Sequence, residues 1–199
     1  MLTVLGIRHG EVHNPTNVIY SGLPGFVLSE TGRAQAAAVA EALEGVPIAA
    51  LHASPLDRAI ETATFIAEVT GTEVTPDDRL HEWRHWEQWA GLTWEELATT
   101  SKESFDRYVN DPGSVTQGES LAELAGRMEA WLSDVEREHR DGLVIGVSHL
   151  EPLRAILLRR LGRPANDLFA LDIRQCDVVR LLPDVSAEPV PLAELRAAL

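Results

Sequence analysis

Two histidines, each placed at the end of an apolar run, are the residues of this chain best placed to do chemistry. Residues 2–7 lead into Arg8-His9-Gly10-Glu11, and residues 143–147 lead into Ser148-His149. Apolar runs of this length, bounded by glycine and polar residues, read as buried strands of a parallel sheet covered on both faces. In open α/β sheets ligands bind beyond the carboxyl ends of the strands, where the connections diverge. Two imidazoles at two such ends can face one another across one crevice, and Arg8 beside His9 suits a crevice that holds an anion. A third turn points the same way. Ser54-Pro55-Leu56-Asp57-Arg58-Ala59 places Arg58 in the first turn of a helix. There unpaired N–H groups and a partial positive charge already favour anions. Arginine's planar fork matches phosphate oxygens in paired contacts.

The elements that must position these residues alternate between strand and helix along 199 residues, long enough for one self-sufficient core. Ser29 is an N-cap for an Ala-rich helix running to Leu43, ended by Gly45 and Pro47. Residues 48–52 read as a short strand. Pro55 at a first helical position, with Asp57 behind it, opens a helix that buries Ile60, Ala63, Thr64 and Ala67 and stops at Gly71. Ser120 and Glu123 form a capping box, followed at helical spacing by Leu121, Leu124, Ala125, Met128, Trp131, Leu132 and Val135. Residues 152–161 read as a helix and 177–182 as a final edge strand. The expected fold is a three-layer α/β/α sandwich with a mostly parallel central sheet, one domain over residues 1–199. Residues 77–118 break the rhythm. With Trp83, Trp86, Trp89, Trp94 and a Thr93-to-Glu96 capping box, they read as an irregular Trp-rich lid or insertion. Trp94 is expected in the core, and Trp83, Trp86 or Trp89 at the mouth of the crevice.

Charge narrows the partners. A net charge of −14 argues against nucleic acid and anionic membranes, and makes any phosphate site a local arginine-built exception. One cysteine, Cys176, excludes an intramolecular disulfide and a cysteine zinc cluster. With no signal-like or membrane-length apolar stretch, the expectation is a cytoplasmic protein.

The ordered set of motifs resembles the histidine phosphatase superfamily, also called phosphoglycerate mutase-like. The matching segments are Arg8-His9-Gly10-Glu11, the loop and helix start at 24–36, and residues 54–63. They continue through Leu80-His81-Glu82, Gly118-Glu119-Ser120 and Val147-Ser148-His149, so the likeness covers residues 1–182. The resemblance implies that His9 is the nucleophile and becomes a phosphohistidine. It implies that Arg8, Arg58 and His149 hold the phosphoryl oxygens, and that Glu82 passes a proton to the leaving oxygen and later takes one from water. Asn14 lies one residue from the family's phosphate-contacting asparagine. Glu11 and Glu151 are rival acids, Glu151 the stronger. The implied activity is a metal-independent histidine acid phosphatase-type phosphomonoesterase acting on a small phosphorylated metabolite, with no cofactor; a homodimer is left open. The alternatives are phosphoglycerate mutase-type transfer and a phospholigand-binding module without turnover.

The chain departs from the family pattern in three places. Leu150-Glu151-Pro152 follows the second histidine where a glycine is usual. Ser21-Gly22-Leu23 replaces a Gly-Arg pair, and residues 83–89 replace a small glycine-containing turn. These changes bear on the substrate more than on the chemistry. His81-Glu82-Trp83-Arg84-His85 also spells H-E-x-x-H, which would bind zinc if both histidines shared one helix face.

Overall fold

The computed structural model describes residues 1–199, apart from the side chain of Ala198. Five strands, β1 (Leu2–Arg8), β2 (Ile48–Ala53), β3 (Val74–Pro76), β4 (Gly142–Ser148) and β5 (Val178–Leu182), form one sheet in the order β3-β2-β4-β1-β5. All neighbours are parallel except β5, which runs antiparallel to β1 at the edge. The sheet is therefore mostly parallel and carries helices on both faces, the phosphoglycerate mutase-like arrangement. The side chains of β1 and β4 alternate between two cores. Val4 and Val144 pack with α5 (Leu121–Glu138) and α6 (Leu150–Leu161), while Leu5, Ile7, Ile145 and Val147 pack with α1 (Glu30–Leu43) and α2 (Asp57–Thr70). That two-sided burial explains why both strands read as unbroken apolar runs.

Caps set the helix ends. The Ser29 hydroxyl accepts the Gly32 N–H at 3.0 Å to begin α1, and the reciprocal Ser120–Glu123 box begins α5. α2 starts later than the sequence suggests: Asp57 is its first residue, and Pro55 lies outside it. Ser54 is fully buried, its hydroxyl lies 2.7 Å from His149 Nε2 and accepts the Leu56 N–H at 3.4 Å, so the chain turns there before the helix begins. The buried face of α2 is Arg58, Ala59, Thr62, Ala63 and Ile66, with the Thr62 hydroxyl accepting the Gly10 N–H at 3.1 Å. β3 is only three residues long and ends in proline, too short to show a period. The 77–118 segment is built from 3₁₀ turns and two short helices, α3 (Trp94–Thr100) and α4 (Lys102–Asn110). Trp94 is 45% exposed, contrary to expectation, because Leu97 takes the inward side of the two-turn helix α3.

One close approach bears on the site. A Cβ at Gly32 would lie 2.0 Å from the Glu11 carbonyl oxygen, and one at Gly10 would lie 2.6 Å from the Gly32 carbonyl oxygen. The start of α1 thus touches the loop that follows His9 backbone to backbone. Gly32→Ala is expected to lower stability by about 1–3 kcal/mol, since backbone has to move to accept the methyl. Chemical denaturation gives the value, and a midpoint equal to the parent's would contradict it.

Candidate active site

β1 and β4 are adjacent, and their register pairs Arg8 with Ser148. The next residue on each strand is a histidine, so backbone pairing alone sets His9 beside His149. Their ring centroids are 5.0 Å apart and both side chains are buried. The His9 N–H continues the ladder, donating to the Ser148 carbonyl at 2.9 Å.

His9 has a defined tautomer. Its Nδ1 lies 2.7 Å from the Gly10 carbonyl, which can only accept, so Nδ1 carries the proton and Nε2 a bare lone pair. Arg58 Nε donates to that Nε2 at 3.3 Å. The Arg58 guanidinium, 1% exposed, also donates to the Ser21 carbonyl at 2.8 Å and lies 4.8 Å from the centre of the Tyr20 ring. Burial first, and then the Arg58 charge, hold the His9 imidazole well below the usual histidine range. It is neutral at physiological pH, as a nucleophile must be. Burial and the same arginine act likewise on His149, whose Nε2 lies 2.7 Å from the Ser54 hydroxyl. Arg8 is fixed by its Nη1, which donates to the Ile173 carbonyl at 2.7 Å.

Glu82 reaches the same cavity, of about 410 Å³, which is lined by Arg8, His9, Arg58 and Glu82 and walled by aromatic rings. Its carboxyl is pushed up to about 7, chiefly by burial and next by the nearby Glu151 carboxylate. A carboxyl that still holds its proton near neutrality can act as a general acid. A larger groove of about 730 Å³, bordered by Gln35, Arg174 and Leu192, contains none of these side chains, so size does not locate the chemistry.

Among the described residues, the buried side-chain polar atoms without a hydrogen-bond partner are Arg8 Nε, Ser21 Oγ, Trp86 Nε1, His149 Nδ1 and Glu151 Oε2. Four of the five residues line the 410 Å³ cavity, and His149 packs on His9 beside it. Folded proteins leave few buried polar groups unsatisfied, and such a concentration at one place makes this cavity the candidate binding site.

The other predicted residues divide. Asn14 lines the cavity, but its amide closes the local loop, donating to the Val18 carbonyl at 2.8 Å and accepting the Val18 N–H at 3.2 Å. Glu11 accepts the Ser29 hydroxyl at 2.6 Å and tethers α1. Trp86 lines the cavity, whereas Trp83 and Trp89 are core. His81 and His85 do not share a helix face: His81 lies between two 3₁₀ turns, and His85 is wedged against the Trp83 and Trp89 rings. The H-E-x-x-H spelling therefore does not build the zinc arrangement that the pattern suggests.

Sequence reasoning missed the clamp on Glu82. The Arg127 guanidinium donates to the carbonyls of Arg79 and His81, each at 2.7 Å, and of Glu82 at 3.0 Å, and pairs with Glu119 at 2.6 Å. Glu119 in turn accepts the Arg84 N–H at 3.1 Å. The Gly118-Glu119-Ser120 motif marked one half of this clamp; Arg127 lay within an ordinary amphipathic helix pattern. Arg127→Gln is expected to lower kcat about 10–100-fold with KM little changed, the size of effect that misplacing a catalytic group by about 1 Å produces. The pH at which activity declines on the basic side should shift with it; an equal fall at every pH would indicate general loosening instead.

A profile of the histidine phosphatase superfamily (branch 1) matches residues 4–188. The chain belongs to the histidine phosphatase superfamily. Among relatives, phosphoserine phosphatase 1 of Hydrogenobacter thermophilus is 36% identical over 165 residues, covering 81% of this chain and 77% of that protein. A probable phosphoglycerate mutase of Proteus mirabilis is 32% identical over 186 residues, covering 91% and 85%. Among solved structures, a mycobacterial glucosyl-3-phosphoglycerate phosphatase superposes with a TM-score of 0.78 at 26% identity, covering 89% and 88% of the two chains. Family membership and phosphatase-named relatives support a phosphatase for this histidine phosphatase chain. Among its described residues, no helix is long and apolar enough to cross a membrane.

Proposed function

We propose that the protein hydrolyses small phosphate monoesters through a covalent phosphohistidine on Nε2 of His9. One observation carries the reading: His9, with a bare lone pair on Nε2, shares its cavity with the unpartnered buried Nε of Arg8, and its ring packs on that of His149, whose Nδ1 is also unpartnered. The Nε2 lone pair attacks phosphorus while the P–O ester bond breaks, and Glu82 gives its proton to the departing alkoxide. Water then attacks the phosphohistidine, the P–N bond breaks, and the Glu82 carboxylate takes the proton that the water loses. Arg8, Arg58 and His149 bind the non-bridging oxygens, where fixed positive charge stabilises the transition state without reorganisation. In this role the Arg58 Nε–H bond passes from His9 to a phosphoryl oxygen, leaving the lone pair to attack.

Brief incubation with a reactive phosphate ester, followed by denaturation, is expected to trap an acid-labile phosphoprotein on His9. With 3-phosphoglycerate as substrate, release of inorganic phosphate supports hydrolysis, whereas 2-phosphoglycerate would mean transfer to a bound acid. A folded protein that traps no phosphate and releases none would be a binding module.

A further inference from the structure

Phosphoryl chemistry engages Arg8, His9, Arg58, Glu82 and His149, and leaves three unpartnered buried atoms of the cavity wall unused, Ser21 Oγ, Trp86 Nε1 and Glu151 Oε2, of which only the last can carry a charge. Glu151 is 2% exposed and lies in the first turn of α6, two residues past His149. Its other oxygen is saturated: Oε1 accepts the Tyr108 hydroxyl at 2.9 Å and Arg154 Nη1 at 3.2 Å. Burial pushes the Glu151 carboxyl up, and the Arg154 charge, the Tyr108 hydroxyl and the helix N-terminus oppose that by favouring the carboxylate. A buried carboxylate oxygen with no donor is costly, and a ligand N–H group would satisfy it. The aromatic part of the surrounding surface suits a positively charged donor, set against Arg8, Arg58 and Arg154 on the same cavity. Trp86 and Phe169 lie 4.9 and 5.1 Å from the Tyr108 ring, Trp94 lies 5.8 Å from Trp86, and all four line the cavity. Aromatic faces attract cations.

We infer that Glu151 is a specificity-determining residue that reads the alcohol half of the substrate, and that the preferred esters carry a cationic amine a few bonds from the phosphate. The ammonium donates to Glu151 Oε2 beside the aromatic wall. An acceptor oxygen elsewhere on the same alcohol would meet the Trp86 indole N–H. This rests on the phosphatase reading only in sharing its cavity. Glu151 is here a substrate-binding group and not a second proton donor, a role its pairing with Arg154 opposes.

The test uses the full chain carrying His9→Ala, so that nothing is turned over, and measures binding by titration calorimetry. The two probes are 2-aminoethyl phosphate and n-propyl phosphate, which match in length and differ in the amine. The amine ester is expected to bind about tenfold or more tightly than its neutral counterpart, the effect of one charge-assisted hydrogen bond. Adding Glu151→Gln should bring the ratio close to one. Equal binding of the two esters, or a preference that survives Glu151→Gln, overturns the inference. Should the glutamine variant fail to fold, the comparison on the Glu151-bearing chain decides alone, equal affinity counting against. The two readings fail separately: amine preference without phosphate release sinks the phosphatase, and phosphate release without amine preference sinks this assignment.

Discussion

Replacing His9 by alanine is expected to reduce phosphate release by at least about 10⁴-fold, the scale on which losing a covalent nucleophile acts. The fold should persist. The His9 ring hydrogen-bonds its neighbour Gly10 and receives Arg58, but it contributes to neither apolar core. The strand that carries it is held independently by β4 and β5. Steady-state release of inorganic phosphate measures the first effect, and circular-dichroism melting checks the second. Acid-labile phosphoprotein should vanish in the same variant. Residual turnover within about tenfold of the parent would place the nucleophile elsewhere, because binding and charge stabilisation alone do not rescue a lost nucleophile to that degree.

Glu82→Gln should cost about 10²–10⁴-fold in kcat, the range for removing a positioned general acid. The cost should depend on the ester. An alkyl phosphate, whose alkoxide leaves poorly unless protonated, should suffer near the top of that range; an aryl phosphate with an acidic phenol should lose far less. The pH profile follows from the same carboxyl. Glu82 must hold its proton to act, and its carboxyl ionises at about 7. The kcat/KM toward alkyl esters, which reports the first step, should therefore be level just below pH 7 and fall tenfold per unit above it, a decline that Glu82→Gln removes. On the acid side His9, which burial and Arg58 hold well below the usual histidine range, adds no decline near neutrality. Stability shares the sign. A carboxyl that keeps its proton more firmly when folded contributes stability at low pH, which is lost as pH rises through about 7. An alkyl-ester profile flat to pH 9 would remove Glu82 from the acid role.

Much of this was legible in the sequence for a specific reason. β1 and β4 are buried on both faces, so their apolar runs are uninterrupted and their ends are sharp. α1 and α5 announce themselves through Ser29 and the Ser120–Glu123 box. Arg8, His9, Arg58 and His149 stand at the ends of those same elements, and the structure gathers them. What the sequence hid depends on long-range contact. Ser54, read as the opener of α2, serves the turn before it and faces His149, 95 positions away. Trp94 turned outward because the orientation of a two-turn helix is set by its packing and not by its own period. Arg127, Tyr108 and Arg154 occupy ordinary helical positions, and only the folded chain brings the first to the loop of Glu82 and the other two to Glu151.

The pairing of Arg8 with Ser148 has a consequence for how the protein can vary. The gap between the two imidazoles is an inter-strand pitch, fixed by the main chain before any side chain or roof is chosen. Insertions, deletions or exchanges among the tryptophans of residues 77–118 should therefore alter which molecules are admitted, while the spacing of the two imidazoles stays constant.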